Sequence, residues 1–249
     1  RRPESYYVNS TTMNESAMSV LVGATTAAEQ LFAGAFATTT GAYSIMTNAY
    51  DGNTNQGSAA QNFGAVINGS FNSIESKTAG SNVSGIANAV VGLPNRTHNA
   101  NGTLVFGAGN EVTNSVDNIA DPMSLLTNSP KDWRKTQRGD TENDSGGAVL
   151  AVGGGNKADY AYRSQLIGVG NTLTRNRSGK GCLQLLNGYK NTGTKAEHVS
   201  VIGSENTVEN SKSQTVIGDS NKITDRNAGT VSGKQEERTK NVSDLVIGK

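Results

Sequence analysis

Two histidines, His98 and His198, are the side chains in this sequence best suited to serve as a general base. A histidine base on a triangular coil, as in acyl-transfer enzymes built from hexapeptide repeats, requires aliphatic residues at regular six-residue steps. The step from Ile202 to Val208 is six residues, but the step from Val208 to Ile217 is nine. Acyl transfer is therefore a remote alternative, and His198 is predicted to lie in a turn ahead of the next strand.

An acidic segment and a glycine-rich segment are the next candidates for a carboxylate site and a calcium site, and the sequence favours neither. Asp140, Glu142 and Asp144 stand in a polar stretch, which is typical of solvated side chains. Gly153–Asn156 is similar to a calcium-binding glycine-rich repeat, but the recurrence about every nine residues and the fixed aspartate of such repeats are missing. Cys182 is the single cysteine, which excludes an intrachain disulfide. We expect no metal, no cofactor and no catalytic residue.

The composition argues against several classes of protein. Apolar residues make up 34% of the chain, well below the roughly 45–50% of an ordinary globular domain. Intrinsic disorder is disfavoured because 22 basic residues are balanced by 21 acidic ones, for a net charge of +1. The basic residues are dispersed among the acids, so we expect no nucleic-acid partner. Abundant glycine and asparagine favour short strands joined by tight turns.

A repeated unit is the strongest pattern in the sequence. It consists of two aliphatic residues, a glycine, two variable residues, an asparagine and another aliphatic residue, with clear copies at 166–173, 201–208 and 216–223. Glycines that mark the phase stand 15 residues apart in two runs, namely Gly153 and Gly168, then Gly188, Gly203, Gly218, Gly233 and Gly248. Looser copies contain Gly69, Gly85 and Gly107. The sequence therefore predicts an all-β solenoid of coils of about 15 residues, each with two short strands and two turns, in which asparagines form ladders between coils.

Paired aliphatic residues place apolar side chains on both faces of the repeated strand. Neighbouring side chains in a strand point to opposite faces, so one member of each pair fills the coil and the other needs a second surface to cover it. Symmetric copies of the chain would supply that surface. The residues predicted to form the core of the roll and of its assembly are Val66, Ile67, Leu104, Val105, Leu166, Ile167, Leu185, Leu186, Val201, Ile202, Val216, Ile217, Val246 and Ile247.

The copies SVIGSENTV, TVIGDSNKI, SQLIGVGNTL and TLVFGAGNEV resemble the head repeats of YadA-like trimeric autotransporter adhesins. The resemblance covers about Ser58–Lys249, although several alanine positions of the usual motif are larger here. It implies a left-handed parallel β-roll in an elongated homotrimer on the outer membrane of a Gram-negative bacterium, with the membrane anchor outside this sequence. It also implies a host ligand, either a receptor such as a CEACAM protein or a matrix protein such as collagen, fibronectin or laminin.

Two stretches depart from the repeat. Residues 1–57 are predicted to form an irregular tip or cap, and 119–147 are predicted to leave the roll of 58–249 as an inserted loop. The candidate receptor-binding residues in these stretches are Phe32, Phe36, Tyr43, Tyr50, Lys131, Trp133, Arg134 and Arg138. A structural alternative remains open for both, because Trp133 can pack on the roll and the tip aromatics can cap the end of the stack.

Attachment to host cells or matrix is the function that the resemblance implies. A structural spacer within a longer adhesin fibre is the main alternative. A solenoid enzyme acting on polysaccharide is a remote one, because such a site needs carboxylates clustered at equivalent repeat positions. The positions after the glycine are Ser204-Glu205, Asp219-Ser220 and Val169-Gly170, which form no such cluster.

Overall fold

The computed structural model describes residues 37–47, 61–76, 84–117, 119, 146–174 and 184–225, together with the backbone of a strand at Asp244–Ile247. These residues form strands, turns and irregular connections, and none of them lies in a helix. Accordingly, no helix in the described part of the chain is long and apolar enough to cross a membrane. The strands alternate between two parallel sheets, as expected for a solenoid.

Numbered in chain order, the odd strands form the ten-stranded sheet 1 and the even strands form the nine-stranded sheet 2. Sheet 1 contains β1 (Thr38–Thr40), β3 (Val66–Gly69), β5 (Ala89–Gly92), β7 (Leu104–Ala108), β9 (Leu150–Gly154), β11 (Gln165–Val169), β13 (Leu185–Tyr189), β15 (Ser200–Ser204), β17 (Gln214–Asp219) and β19 (Asp244–Ile247). Sheet 2 contains β2 (Ile45–Thr47), β4 (Ser73–Glu75), β6 (Arg96–His98), β8 (Glu111–Thr113), β10 (Lys157–Asp159), β12 (Thr172–Thr174), β14 (Thr192–Thr194), β16 (Thr207–Glu209) and β18 (Lys222–Thr224).

Each coil buries one side chain from each of its two strands. In sheet 1 the buried residue stands two positions before the glycine, and these residues are Ile67, Val90, Val105, Ala151, Leu166, Leu186, Val201 and Val216, all without solvent exposure. In sheet 2 the middle residue of each strand points inward, as in Ile74, Val112 and Val208. The core is therefore a narrow file of small and medium aliphatic side chains, which explains the low apolar content of the chain.

An asparagine ladder runs along the turns that follow the sheet 1 strands from β3 to β17. Its members are Asn72, Asn95, Asn110, Asn156, Asn171, Asn191, Asn206 and Asn221. The backbone N–H and the side-chain Nδ2 of Asn171 both donate to Oδ1 of Asn156, at 3.1 and 3.0 Å. The same Nδ2 donates to the carbonyl oxygen of Gly188 in the next coil, at 3.0 Å. The predicted ladder of asparagines is confirmed.

The phase-marking glycine is required by the close approach of successive coils. Gly168 has φ +116°, and a Cβ added to it would lie 2.0 Å from the carbonyl oxygen of Gly188. Both the backbone conformation and the lack of space exclude a side chain there. This contact recurs from coil to coil and holds the glycines in register.

Two of the predicted phase markers are wrong. Gly69 pairs with Gly92, whereas Gly85 lies in the turn that precedes β5. At the other end β19 pairs directly with β17, with Ile217 opposite Ile247, so Gly233 does not mark a coil between them. Both errors come from a Val-Ser-Gly sequence, in which serine occupies the place of the outward aliphatic residue.

The roll extends beyond the boundary that the sequence suggested. Strands β1 and β2 form a coil within residues 1–57, and they pair in parallel with β3 and β4. The roll therefore reaches at least to Thr38, ahead of the predicted boundary at residue 58. Farther along, β7 pairs directly with β9 although an excursion follows Asp117, so that excursion adds no coil to sheet 1.

Candidate interaction surfaces

Sheet 1 presents a largely apolar face to the outside of the roll. Side chains adjacent to the buried positions point outward and form two columns along the sheet. The column next to the glycines, called here the glycine-adjacent column, consists of Asn68, Val91, Phe106, Val152, Ile167, Asn187, Ile202 and Ile217. The second column consists of Val66, Ala89, Leu104, Leu150, Gln165, Leu185, Ser200 and Thr215.

Large apolar side chains in both columns are open to solvent. Phe106 is 54% exposed and Ile202 is 46% exposed, and Val66, Leu104 and Ile217 are also exposed. Monomeric soluble proteins rarely leave so extended an apolar patch uncovered. The outward face of sheet 1 is therefore the strongest candidate for a binding surface.

Sheet 2 presents a polar outward face in the same coils. Thr172, Thr174, Thr192 and Thr194 occupy its two outward columns on β12 and β14, where sheet 1 carries aliphatic residues. The two sheets contribute similar residues to the core, so folding of a single coil does not require this difference. Water can solvate the outward face of sheet 2, whereas the outward face of sheet 1 needs to be covered by another surface.

Charged residues on sheet 2 pair with one another across coils. The guanidinium of Arg96 on β6 donates to Glu75 on β4 and to Glu111 on β8, in both cases at 2.9 Å. Lys157 Nζ lies 3.7 Å from the other oxygen of Glu111. The hydrogen bond that Arg96 donates to Glu75 is the main reason that the pKa of Arg96 is raised above its ordinary value. The carboxylates of Glu75 and Glu111 are therefore paired with basic side chains of the same chain.

An aromatic pair lies at the corner between the two sheets. The rings of Tyr43 and Phe71 stack with centroids 5.2 Å apart and an interplanar angle of 9°. Their exposed fractions are 61% and 57%, and the next coil adds exposed Leu93. Tyr43 and Phe71 have φ values of 56° and 59°, a left-handed conformation that is uncommon for bulky residues. The same conformation recurs at the equivalent turn residues Lys190, Glu205 and Ser220, so it belongs to the coil and not to this pair. It is the exposure of the two rings that makes them a candidate contact for a binding partner.

The excursion between β8 and β9 is anchored at a single amide side chain. Asn101 Oδ1 accepts hydrogen bonds from the backbone N–H groups of Asp117 and Gly147, at 3.1 and 2.7 Å. Asn101 Nδ2 donates to the carbonyl oxygen of Asp117 at 2.7 Å. Arg163 in the next coil forms an ion pair with the buried Asp117 carboxylate, at 2.9 Å. The chain thus leaves the roll and returns to it at one fixed point.

A shallow cleft connects this anchor with the apolar face of sheet 1. Its volume is about 330 Å³, and Leu104, Leu150, Arg163 and Gln165 are among its lining residues. Leu104, Leu150 and Gln165 also belong to the second column. Whatever covers the face of sheet 1 near β7, β9 and β11 therefore also meets the foot of the excursion.

Most of the predicted receptor-binding residues lie outside the described part of the chain. These are Phe32, Phe36, Tyr50, Lys131, Trp133, Arg134 and Arg138. Tyr43 is described, and it lies in the corner pair with Phe71. Its partner was missed because the two rings stand 28 residues apart in the sequence and only the coil register brings them together.

The structure divides the predicted core residues between the inside and the outside of the roll. The inward residues are Ile67, Val105, Leu166, Leu186, Val201 and Val216, and the outward ones are Val66, Leu104, Ile167, Leu185, Ile202 and Ile217. Val246 and Ile247 lie in β19, of which only the backbone is described. Phe106, Val91 and Val152 were missed, although their place directly before a phase-marking glycine is a signal that the sequence contains.

Neither histidine nor the glycine-rich segment forms part of a cluster of metal-binding side chains in the described residues. His98 ends β6, where Nδ1 lies 3.4 Å from the Arg96 guanidinium, and His198 occupies a bend ahead of β15 with φ 55°. The two imidazoles stand on different coils.

Asn156, at the end of the glycine-rich run, is a buried member of the asparagine ladder. Cys182 and the acidic residues Asp140, Glu142 and Asp144 lie outside the described residues. In the described ranges, no three histidine, cysteine, aspartate or glutamate side chains come together as metal ligands would.

Comparison of the chain with protein-family models, with curated proteins and with solved structures finds no match.

Proposed function

We propose that this chain is the head of a trimeric bacterial surface adhesin of the YadA-like kind, in which three left-handed rolls associate along the outward face of sheet 1. The assembly stands on the outer membrane of a Gram-negative bacterium and attaches the cell to a host receptor or to a matrix protein. It is a binding protein and not an enzyme, and it needs no cofactor. Two parallel sheets with a short repeated coil support this proposal.

The observation that carries the proposal is the difference between the two outward faces. Ten strands at a spacing of about 4.8 Å, each about five residues long, give the face of sheet 1 an area of roughly 700 Å². A partner in a stable protein interface buries about 800 Å². The face is thus close to the size that a specific interface requires, and its exposed residues are mainly aliphatic.

A second copy of the chain is the occupant that fits this face best. Each coil advances by the same strand spacing, so another copy presents an apolar surface of equal length and equal repeat. Copies arranged about a closed symmetry axis cover one another completely, whereas an open arrangement leaves two faces exposed. Covering three faces along a common axis creates a central apolar core for the whole assembly.

Sedimentation of the purified chain and of two matched variants tests the assembly. The unsubstituted chain is expected to sediment at three times its mass of 25.9 kDa. Ile202→Lys places a charge on the face of sheet 1 and is expected to yield monomers, while Thr207→Lys places the same charge on sheet 2 of the same coil and leaves the trimer intact. A stable monomer in the absence of any substitution refutes the proposal.

Host attachment is tested by measuring binding of the assembled chain to immobilised collagen, fibronectin, laminin and epithelial receptor ectodomains. Two variants divide the surface. Tyr43→Ser with Phe71→Ser removes the corner pair, and replacement of residues 118–145 by a short glycine linker removes the excursion. Loss of binding in either variant, with the trimer preserved, locates the ligand site. A trimer that binds none of these ligands and no host cells is a structural spacer instead.

A further inference from the structure

Asn187 interrupts an otherwise apolar stretch of the glycine-adjacent column on the outward face of sheet 1. From Val91 to Ile217, the glycine-adjacent column is aliphatic or aromatic at every coil except this one. Asn187 on β13 lies between Ile167 on β11 and Ile202 on β15. Leu186 is fully buried, so the amide of Asn187 points away from the coil.

The side-chain amide of Asn187 has no hydrogen-bond partner among the described residues, although its backbone carbonyl accepts a bond from Asn191 Nδ2 at 3.3 Å. The ladder asparagines differ in this respect, because their amides are bonded between coils. Asn187 therefore contributes little to the fold of its own chain. An aliphatic residue at this position would continue the pattern of its neighbours.

A uniformly apolar column does not define how two copies align along the roll. Hydrophobic contact is non-directional, and the face repeats at each strand spacing of about 4.8 Å. A neighbouring copy displaced by one coil would still pair aliphatic residues with aliphatic residues along most of the glycine-adjacent column. Some feature of the face must disfavour that displacement if the assembly is to have one structure.

The side-chain amide of Asn187, once covered by neighbouring copies, can define their axial alignment. In a symmetric assembly without displacement, the Asn187 side chains of all copies stand at the same height and can donate to and accept from one another. Displacement by one coil places each amide opposite Ile167 or Ile202 of a neighbour and no longer opposite another amide of the same column. A buried polar group without a partner disfavours an arrangement by roughly tenfold or more, and the effect applies to each displaced copy.

We infer that Asn187 fixes the axial register of self-association, in the way that a single polar residue fixes the register of an apolar helical seam. This inference rests on the proposed function, because it requires that copies cover the face of sheet 1. The other asparagine of the column, Asn68 on β3, stands five strands away from β13 in sheet 1. A displacement that matched Asn68 with Asn187 would leave about half of the face uncovered.

Distances between spin labels on different copies test the inference. All proteins carry Cys182→Ser, and each assembly is mixed from chains labelled at Lys222→Cys on β18 and chains labelled at Lys157→Cys on β10 with a spectrally distinct spin label. These exposed positions lie four strands apart in sheet 2, so a displacement of one coil, about 4.8 Å, changes the distance between the two kinds of label by a few ångströms. The chain with Asn187 is expected to show one intermolecular distance. Asn187→Ile is expected to add a second population with one copy displaced by a coil, and Asn187→Gln is expected to restore the single distance. Thr192→Val, which makes a polar residue apolar on sheet 2 of the same coil, is the control and keeps one distance.

The outcomes separate failure of the inference from failure of the proposed function. A single distance in Asn187→Ile, and equally in Asn187→Val, shows that another feature sets the register while the assembly stands. No intermolecular distance in the parent chain, together with a monomeric mass, refutes the assembly itself. Appearance of a second distance in Thr192→Val shows that the label reports general loosening, which also overturns the assignment to Asn187.

Discussion

Asn110 and Asn156 are stacked in consecutive coils although 46 residues separate them. The backbone N–H and Nδ2 of Asn156 donate to Oδ1 of Asn110 at 3.0 and 2.9 Å. The corresponding bonds from Asn171 to Asn156, across a step of only 15 residues, are 3.1 and 3.0 Å. The ladder is thus unaffected by the length of chain between two coils. A coil can carry a long excursion because its contacts are made with the coils above and below.

Removal of an internal ladder member should destabilise the roll. In Asn171→Ala, the N–H and Nδ2 of Asn191 lose their acceptor, and the carbonyl of Gly188 loses a donor. Unpaired buried polar groups cost about 1–3 kcal/mol each, so we expect a loss of about 3–5 kcal/mol in the free energy of unfolding. Asn187→Ala is the matched comparison, because the side-chain amide of Asn187 has no hydrogen-bond partner among the described residues. Urea unfolding measures both, and equal losses would contradict the ladder as a source of stability.

The phase-marking glycine should not tolerate a side chain. In Gly168→Ala the added Cβ meets the carbonyl oxygen of Gly188 at 2.0 Å in a backbone conformation of φ +116°. We expect a loss of about 3 kcal/mol or more in the free energy of unfolding, since strain and displacement of the coils add together. Gly154→Ala, on the preceding coil, meets its nearest atom at 3.6 Å and should change stability little. Thermal unfolding of the two variants decides this, and similar melting temperatures would be inconsistent with the close contact.

The sequence predicts the coil well because one physical constraint repeats. Only glycine fits where the backbones of successive coils touch, so its spacing reveals the strands, the inward residues and the ladder. The same pattern misleads at Gly85, which lies in a turn, and at Gly233, which falls between the directly paired strands β17 and β19. The serine alone gave no warning, because the residue before a true phase marker is large and apolar at Val91, Phe106, Ile167 and Ile202 but is asparagine at Asn68 and Asn187.

The surfaces are less predictable than the coil. Adjacent aliphatic pairs indicate that one side chain faces out, but the buried member is the first of the pair at Leu166 and Val201 and the second at Val105. Whether a side chain points into the coil or out of it depends on its sequence distance from the phase-marking glycine, and not on its place in the aliphatic pair. The stacking of Tyr43 on Phe71 depends on the lengths of the connections between coils, which no local pattern encodes. The coil that holds Tyr43 also lacks the repeated unit, since three threonines form its strand β1.

The ion pairs of Arg96 with Glu75 and Glu111 on sheet 2 should make a small, salt-dependent contribution to the free energy of unfolding. Arg96→Met leaves the carboxylates of Glu75 and Glu111 without their shared guanidinium. The three side chains are partly solvated, so we expect a loss of about 1 kcal/mol or less at low ionic strength and a smaller loss in high salt. Arg96→Lys should recover only part of it, because an ammonium cannot span both carboxylates as a guanidinium does. Unfolding in low and high salt provides the measurement, and a loss independent of salt would assign Arg96 a packing role.

The anchor of the excursion should be more important for stability than the excursion itself. In Asn101→Ala, the N–H of Asp117 loses its side-chain acceptor and the carbonyl of Asp117 loses its donor, while the N–H of Gly147 keeps a bond of 3.1 Å to the Asn101 carbonyl. We expect a loss of about 2–4 kcal/mol in the free energy of unfolding. Replacement of residues 118–145 by a short glycine linker should cost less, because Asp117 and Gly147 still meet at the same oxygen and Arg163 still pairs with Asp117. Calorimetry compares the two variants, and hydrogen exchange at Asp117 reports the anchor directly. If the linker variant unfolds more readily than Asn101→Ala, the excursion and not its anchor stabilises this part of the roll.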